Sequence, residues 1–536
     1  MVVGRWWLAQ SNNRSRRQLR ANDERPRTKT NCMPKQATSL PLSLAAPLAG
    51  TPLYRWFYDE LRSAILEGRI VPGARLPATR DLAREYKLAR ATVVTAFEQL
   101  KSEGYVEGRV GAGTYVSEVL PDDFLQVGRT SAGRAAGPRR VGWSAYARRL
   151  QLFRGGEPRV TRAFRANQAA LDVFPTTLWA QVVARRLRRA SAQLLSGGEA
   201  LGYRPLRQAV AAYLNASRGV TCSADQVLII SGVQEALERA AHLLIDPGDP
   251  VWVEDPGYPG ADIVFRAVGA KVCPVPVDAE GLDMEWGRRR WARAKLIYVT
   301  PAHQFPLGVT MSLRRRLALL EWARRSRTLI FEDDYDSEYR YRGRPIPALQ
   351  GLDRAGVVMY AGTFNEVLFP ALRLAYLVVP PGMVDRFAAA QSVSMRHAPL
   401  LDQAALCDFI TEGHFARHIR RMRELYSDRL AVFLESSRTR LGGGLLEIPD
   451  VEAGLQTVGW LAQGIRAERA AEEAAKHEVE VIALSRYSSR LRSGRPGLLL
   501  GFAAVDTREL RRGVEQLARA LEVCRRERGT DREHRT

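Results

Sequence analysis

Four stretches of this chain carry side chains whose types and spacing could hold a phosphorylated aromatic ring. Ser231-Gly232-Val233-Gln234 follows an apolar run and opens a helical pattern. The first turn of a helix presents unbonded N–H groups and the positive end of its dipole, which suits a phosphate. Glu332-Asp333-Asp334-Tyr335 closes another apolar run, so Asp333 is placed to face a ring nitrogen and Tyr335 a ring hydroxyl. Tyr258, within Asp255-Pro256-Gly257-Tyr258-Pro259-Gly260, could stack on the ring. His303, within Thr300-Pro301-Ala302-His303-Gln304, could approach its hydroxyl. Taken singly, a strand-end aspartate is more often a helix cap, and a lone tyrosine more often core.

Pyridoxal phosphate makes three demands on a protein. Its phosphate wants a helix N-terminus and an arginine. Its pyridinium nitrogen wants a carboxylate. Its aldehyde wants a lysine amine for a Schiff base. Gly232, Val233 and Gln234 answer the first demand and Asp333 the second.

The elements that must position these groups alternate in type. Val227–Ile230, Val251–Val253, Leu296–Val299, Leu329–Phe331, Val357–Tyr360 and Leu374–Val379 are short apolar runs bounded by turn residues, and helical segments separate several of them. Such alternation predicts an α/β domain with a largely parallel sheet over residues 161–525. Its last part, about 400–525, reads as a smaller α+β subdomain. A polar, Arg-, Asn- and Pro-rich extension (1–48) and a short tail (526–536) read as disordered. Residues 119–160, rich in Gly, Arg and Ser, read as a linker.

Residues 49–118 have a different pattern. Tyr54, Phe57, Tyr58, Leu61 and Ile65 share one helical face. A short second helix follows Pro77, with Thr79 as its expected N-cap, and a third runs from about Ala91 to Glu103. Two short strands then flank Gly111-Ala112-Gly113. Three helices followed by a hairpin is the order of a winged helix-turn-helix. In that motif the third helix enters the major groove of DNA by its N-terminus. Arg90 and Thr92 stand there, and Arg80 at the start of the second helix can reach the same groove. Arg75, Arg84 and Lys87 suit phosphate contacts, and the wing tip at Gly111 and Gly113 suits the minor groove. The plainer reading of each arginine is a solvated helix face.

The whole chain has 536 residues and a net charge of +22, which favours a polyanionic partner. Five scattered cysteines form no C-x-x-C pair, which speaks against a zinc site and suits a reducing, cytoplasmic setting. No apolar run approaches the ~20 residues needed to span a bilayer.

Two resemblances follow. Leu53–Val116 resembles the winged-helix domain of the GntR superfamily, on Ala64-Ile65-Leu66-Glu67-Gly68-Arg69-Ile70, Pro72-Gly73-Ala74-Arg75-Leu76-Pro77 and Leu100-Lys101-Ser102-Glu103-Gly104-Tyr105. About 161–520 resembles the fold-type I aminotransferase domain of MocR/GabR-type regulators, on Asp246-Pro247-Gly248-Asp249-Pro250 and Glu412-Gly413-His414-Phe415. That resemblance implies a multidomain DNA-binding transcription regulator, a homodimer, acting on an operator and sensing a small molecule: pyridoxal phosphate, an aminated vitamer or an amine. It also implies phosphate and ring contacts at Thr363 and Arg373.

There are departures from the family pattern. Ala89 stands where the family has a serine before the recognition helix. The family's anchor segment G-T-F-S-K-T-L-F-P-A-L-R reads Gly362-Thr363-Phe364-Asn365-Glu366-Val367-Leu368-Phe369-Pro370-Ala371-Leu372-Arg373 here, with Glu366 at the Schiff-base lysine. No lysine lies between Lys295 and Lys476 to replace it. Further changes are Gly197 and Glu199 in a segment that reaches the neighbouring subunit, Asn167 and Ala169 in a substrate-facing loop, and Glu235 beside the phosphate turn. The expectation is a regulator holding its ligand without a covalent link. The alternatives are a constitutive DNA binder with a structural dimerisation domain, and an aminotransferase.

Overall fold

The computed structural model describes residues 50–109, 112–121, 142–153, 160–343, 346–488 and 495–533. The extension over 1–48, Gly111 and much of the expected linker lie outside them. The chain divides into two units, 1–140 and 141–536.

In the first unit, helices Leu53–Leu66 (α1), Thr79–Glu85 (α2) and Arg90–Ser102 (α3) precede strands Val106–Arg109 (β1) and Gly113–Val116 (β2). The strands pair antiparallel, Val106 opposite Val116. The helical spacing of Phe57, Leu61 and Ile65 puts them in one core with Leu82, Val93, Phe97, Leu100 and Val116. The cap of α2 is Ala78, extended at φ −64° and ψ 144°, and Thr79 is already helical. The helix thus begins one residue earlier than expected, and no side-chain bond caps it.

In the second unit a short helix, Ala145–Arg149 (α4), lies within the segment expected to be linker. It is docked there: Arg149 Nε donates to the Ala267 carbonyl at 2.9 Å and Tyr146 to Glu238 at 3.1 Å. Thr176–Arg188 (α5), Ala192–Ser196 (α6) and Arg204–Ser217 (α7) follow. Strands and helices then alternate: Val227–Ile230 (β3), Val233–Leu244 (α8), Pro250–Asp255 (β4), Pro259–Val268 (α9), Lys271–Asp278 (β5), Gly281–Leu282 (β6), Met284–Arg290 (α10), Leu296–Val299 (β7), Leu313–Ser326 (α11), Leu329–Asp334 (β8), Leu349–Leu352 (α12), Val358–Thr363 (β9) and Ala375–Val378 (β10).

These strands form one sheet in the order β3-β10-β9-β8-β7-β4-β5-β6. The stretch from β9 to β5 is parallel. Strand β10 runs antiparallel between β9 and β3. Both faces are covered, which is why the strands read as apolar runs rather than alternating ones. Val227 and Ile229 pack on one side with α5 and α7, and Leu228 and Ile230 on the other with α8 and α9.

Val384–Ser394 (α13), Leu400–Thr411 (α14) and the long His414–Arg440 (α15) lead to Leu446–Glu447 (β11), Gln456–Leu461 (β12), Ala467–Lys476 (α16), Ile482–Ala483 (β13), Gly497–Gly501 (β14) and Thr507–Glu533 (α17). The last four strands make an antiparallel sheet, β11-β12-β14-β13, cored with α15, α16 and α17. Three features differ from the sequence expectation. Helix α14 packs with α7 in the large core rather than with the small sheet, through Leu406 and Phe409. Phe164, far upstream, bridges Gly501 and joins the small sheet's core. Helix α17 continues to Glu533, through residues expected to be a disordered tail. Among the described residues no helix is long and apolar enough to cross a membrane.

Candidate functional site

In open α/β sheets ligands sit beyond the carboxyl ends of the strands, and the expected site residues gather there. Gly232 follows β3, Tyr258 follows β4, His303 follows β7, Asp333 and Tyr335 stand at the end of β8, and Thr363 and Glu366 at the end of β9. Lys271 opens β5 and Lys295 precedes β7, at the opposite ends of their strands, so neither reaches this edge. A surface depression lined by His242, Asp246, Lys295 and Arg327 belongs to that opposite end.

Gly232 caps α8, and the Arg373 guanidinium lies 3.5 Å from where a Gly232 side chain would begin. Arg373 itself is held at φ +51° after a short 3-10 turn. A helix N-terminus and a guanidinium thus converge on one spot, the geometry an anionic group requires. Glu235 folds back over the same turn. Its carboxylate accepts from Ser231 N at 2.8 Å, and Arg239 answers its charge at 2.6 Å. Tyr258 spans the turn and the ring region, donating to Gln234 at 3.2 Å. Phe153 meets its ring edge-on.

Asp333 is 6% exposed. One oxygen accepts from Tyr298 at 2.7 Å, and the other, Oδ1, is buried without a partner. Burial pushes its carboxyl up to about 7, against the Tyr298 bond and helped by the charge of Glu366. Glu366 has a second orphan, Oε2. Burial raises it to about 6, opposed by the Thr363 side chain. Burial also raises the Tyr258 hydroxyl, with the charges of Asp333 and Glu366 adding and Arg373 opposing; these four groups share one electrostatic environment.

His303 is 4% exposed and committed elsewhere. Its Nδ1 lies 2.9 Å from Asp336 and 3.0 Å from the Tyr335 hydroxyl, so the two share one ring nitrogen and the three residues form a tight cluster. The neighbouring Asp334 pairs with the buried Arg218 at 2.7 Å and accepts from Tyr360 at 2.6 Å, which pins the end of β8. Tyr298, Asp336 and Arg218 were not singled out in the sequence. Each meets its partner across dozens of residues, and no local spacing marks such a pair. Arg495, just before β14, pairs with Glu447 on the surface. Glu199 pairs with the buried Arg207 and so serves the packing of α7.

In the first unit Arg75, Arg80, Arg84, Lys87 and Arg90 are exposed, and none is in an ion pair among the described residues. The other described arginines of that unit have partners: Arg55 with Asp59, Arg69 with Glu67, Arg109 with Glu107 and Arg62 with Tyr105. The unpaired set surrounds α2 and the start of α3. Arg75 lies against Gly113 of the wing, 3.1 Å from where a side chain would begin, and Gly113 takes φ +110°. Thr92 is half-buried one turn into α3. Ala89 caps α3 with no side-chain bond.

Comparison with known proteins agrees with both units. Residues 53–116 match the bacterial regulatory proteins of the gntR family, and residues 165–517 match aminotransferase class I and II. The probable rhizopine catabolism regulatory protein MocR of Rhizobium meliloti is 40% identical over 476 residues, 88% of this chain and 94% of that one. The chain belongs to the MocR-type GntR regulators. It is a DNA-binding transcriptional regulator with an aminotransferase-like domain. The pyridoxine biosynthesis regulator PdxR of Corynebacterium glutamicum is 28% identical, over 74% of this chain and 79% of its own. Among solved structures, Pyrococcus horikoshii kynurenine aminotransferase in complex with PMP superposes with a TM-score of 0.62 at 26% identity, over 67% of this chain and 90% of that one.

Proposed function

We propose that this MocR-type regulator reads a small ligand of the vitamin B6 class in its aminotransferase-like domain, holds it without a covalent bond, and is no aminotransferase. Glu366 carries this reading: it occupies the place of the family's anchoring lysine, and a carboxylate forms no imine. The rest of the site fits a phosphorylated pyridine. Gly232, Val233 and Gln234 with Arg373 would hold the phosphate, Asp333 Oδ1 the ring nitrogen, and Tyr258 a ring face. When bound, such a ligand supplies a protonated ring and an anionic anchor. The protein's part is to bind and orient it.

The reading includes a cytoplasmic homodimer on an operator. The ligand controls DNA binding only if it binds one arrangement of the chain better than another. The test is fluorescence anisotropy of the full chain on its own promoter region, with and without pyridoxal or pyridoxamine phosphate. Either vitamer is expected to shift the affinity severalfold. Arg90→Ala should weaken DNA binding by ~1–3 kcal/mol while leaving vitamer affinity unchanged. DNA binding that no vitamer or amine alters would instead mark a constitutive regulator.

A further inference from the structure

At the carboxyl edge of the large sheet Glu254 Oε1, Asp334 Oδ1, Asp333 Oδ1 and Glu366 Oε2 are buried with nothing bonded to them, and the last two are the pair whose charges reach Tyr258. They belong to one environment, since the charge of Glu366 acts on Asp333 and both act on Tyr258. A buried acceptor without a donor is costly, and a buried anion more so. Asp333 is already held by Tyr298 on its other oxygen, so Oδ1 is fixed in direction rather than free to turn toward a new partner. Thr363, whose Oγ1 accepts from Asn365 N at 3.0 Å, lies beside Glu366 and favours its charged form.

Two buried carboxyl acceptors, with Arg373 and the α8 N-terminus nearby, define the charge pattern of a ligand that would hold both ionised. It needs one anionic group and two separate cationic N–H donors. A phosphorylated pyridine with an aldehyde supplies the anion and one donor, the ring nitrogen. At the aldehyde it presents only an acceptor oxygen, which a carboxylate repels. The aminated form supplies a primary ammonium at that same carbon, and charge-assisted N–H bonds to carboxylate are among the stronger ones.

We propose that the pocket selects pyridoxamine 5′-phosphate over the aldehyde form, with Glu366 holding the ligand's ammonium and Asp333 its ring nitrogen. This rests on the reading of the domain as a B6-vitamer site and names which vitamer it takes. The substitution of glutamate for lysine then inverts the chemistry of the position. A residue that would bind the aldehyde covalently becomes one that recognises the amine reversibly.

The experiment is isothermal titration of the full chain with pyridoxamine 5′-phosphate and with pyridoxal 5′-phosphate, on wild type, Glu366→Gln and Asp333→Asn. Wild type is expected to bind the amine form at least tenfold more tightly. Glu366→Gln, nearly isosteric, should lose most of that preference by weakening the amine form tenfold or more and sparing the aldehyde form. Asp333→Asn should weaken both, since both carry the ring nitrogen. A purely structural role for Glu366 would move the two affinities together and leave their ratio unchanged, which would overturn the proposal. Equal or tighter binding of the aldehyde form by wild type would overturn it too, while leaving the vitamer reading intact. Binding of neither compound by wild type would remove both.

Discussion

At Glu366 charge and burial pull in opposite directions. Burial lifts its carboxyl to about 6, above the 4.5 of an ordinary glutamate, so the folded chain holds that proton more tightly than the unfolded one. Stability from this group is therefore fully present below about pH 4.5, falls as pH rises through 6, and is level above that. The shift corresponds to ~2 kcal/mol at neutral pH. Glu366→Gln is thus expected to be more stable than wild type by ~1–2 kcal/mol at pH 8 in ligand-free urea unfolding, with the gap closing as pH is lowered toward 5. A gap that stays constant or widens at low pH would contradict this account of the site. Asp333, raised to about 7 by the same burial, tells a similar story one strand away. Both are groups whose cost in the free protein is offset when a cationic donor arrives.

Elements decide how those residues are presented. Strand β8 reads as apolar only to Phe331, yet it runs on through Glu332, Asp333 and Asp334. The acids are tolerated because each has a partner: Glu332 accepts from Leu349 and Gln350 N at 2.7 and 2.8 Å, Asp333 from Tyr298, and Asp334 from Arg218. Helix α3 is the opposite case, an element missing a local partner. Ala89 at its cap offers no side-chain acceptor. Ala89→Ser should add ~1 kcal/mol at that terminus, seen as about fivefold slower amide exchange at Ala91 or Thr92. Unchanged exchange would show that the first turn is already satisfied. Elements made of long apolar runs or a clear helical face, such as β3, β7 and α1, were legible in the sequence. The two-residue strands β11 and β13 carry no period to read, and α4 is too short to show one. The cap of α2 lies at Ala78, one residue before Thr79, and carries no side-chain bond that residue type could have announced.

For the whole molecule, two units with separate cores divide the work, and the sequence announced both through their motifs. Gly232, Tyr258, Asp333, Thr363, Glu366 and Arg373, singled out by residue type and resemblance, lie at the carboxyl edge of one sheet. What the sequence could not display were the partners that fix those groups, Tyr298 on Asp333 and Asp336 on His303, each more than thirty residues away. On the proposed reading, a regulator with an aminotransferase-like domain uses its pocket without a covalent anchor. Borohydride treatment of the purified chain with excess pyridoxal 5′-phosphate, followed by peptide mass spectrometry, tests this most directly. Wild type should carry no phosphopyridoxyl group on any residue of the site, and Glu366→Lys should carry one at position 366. A reduced adduct within the wild-type site would contradict the claim.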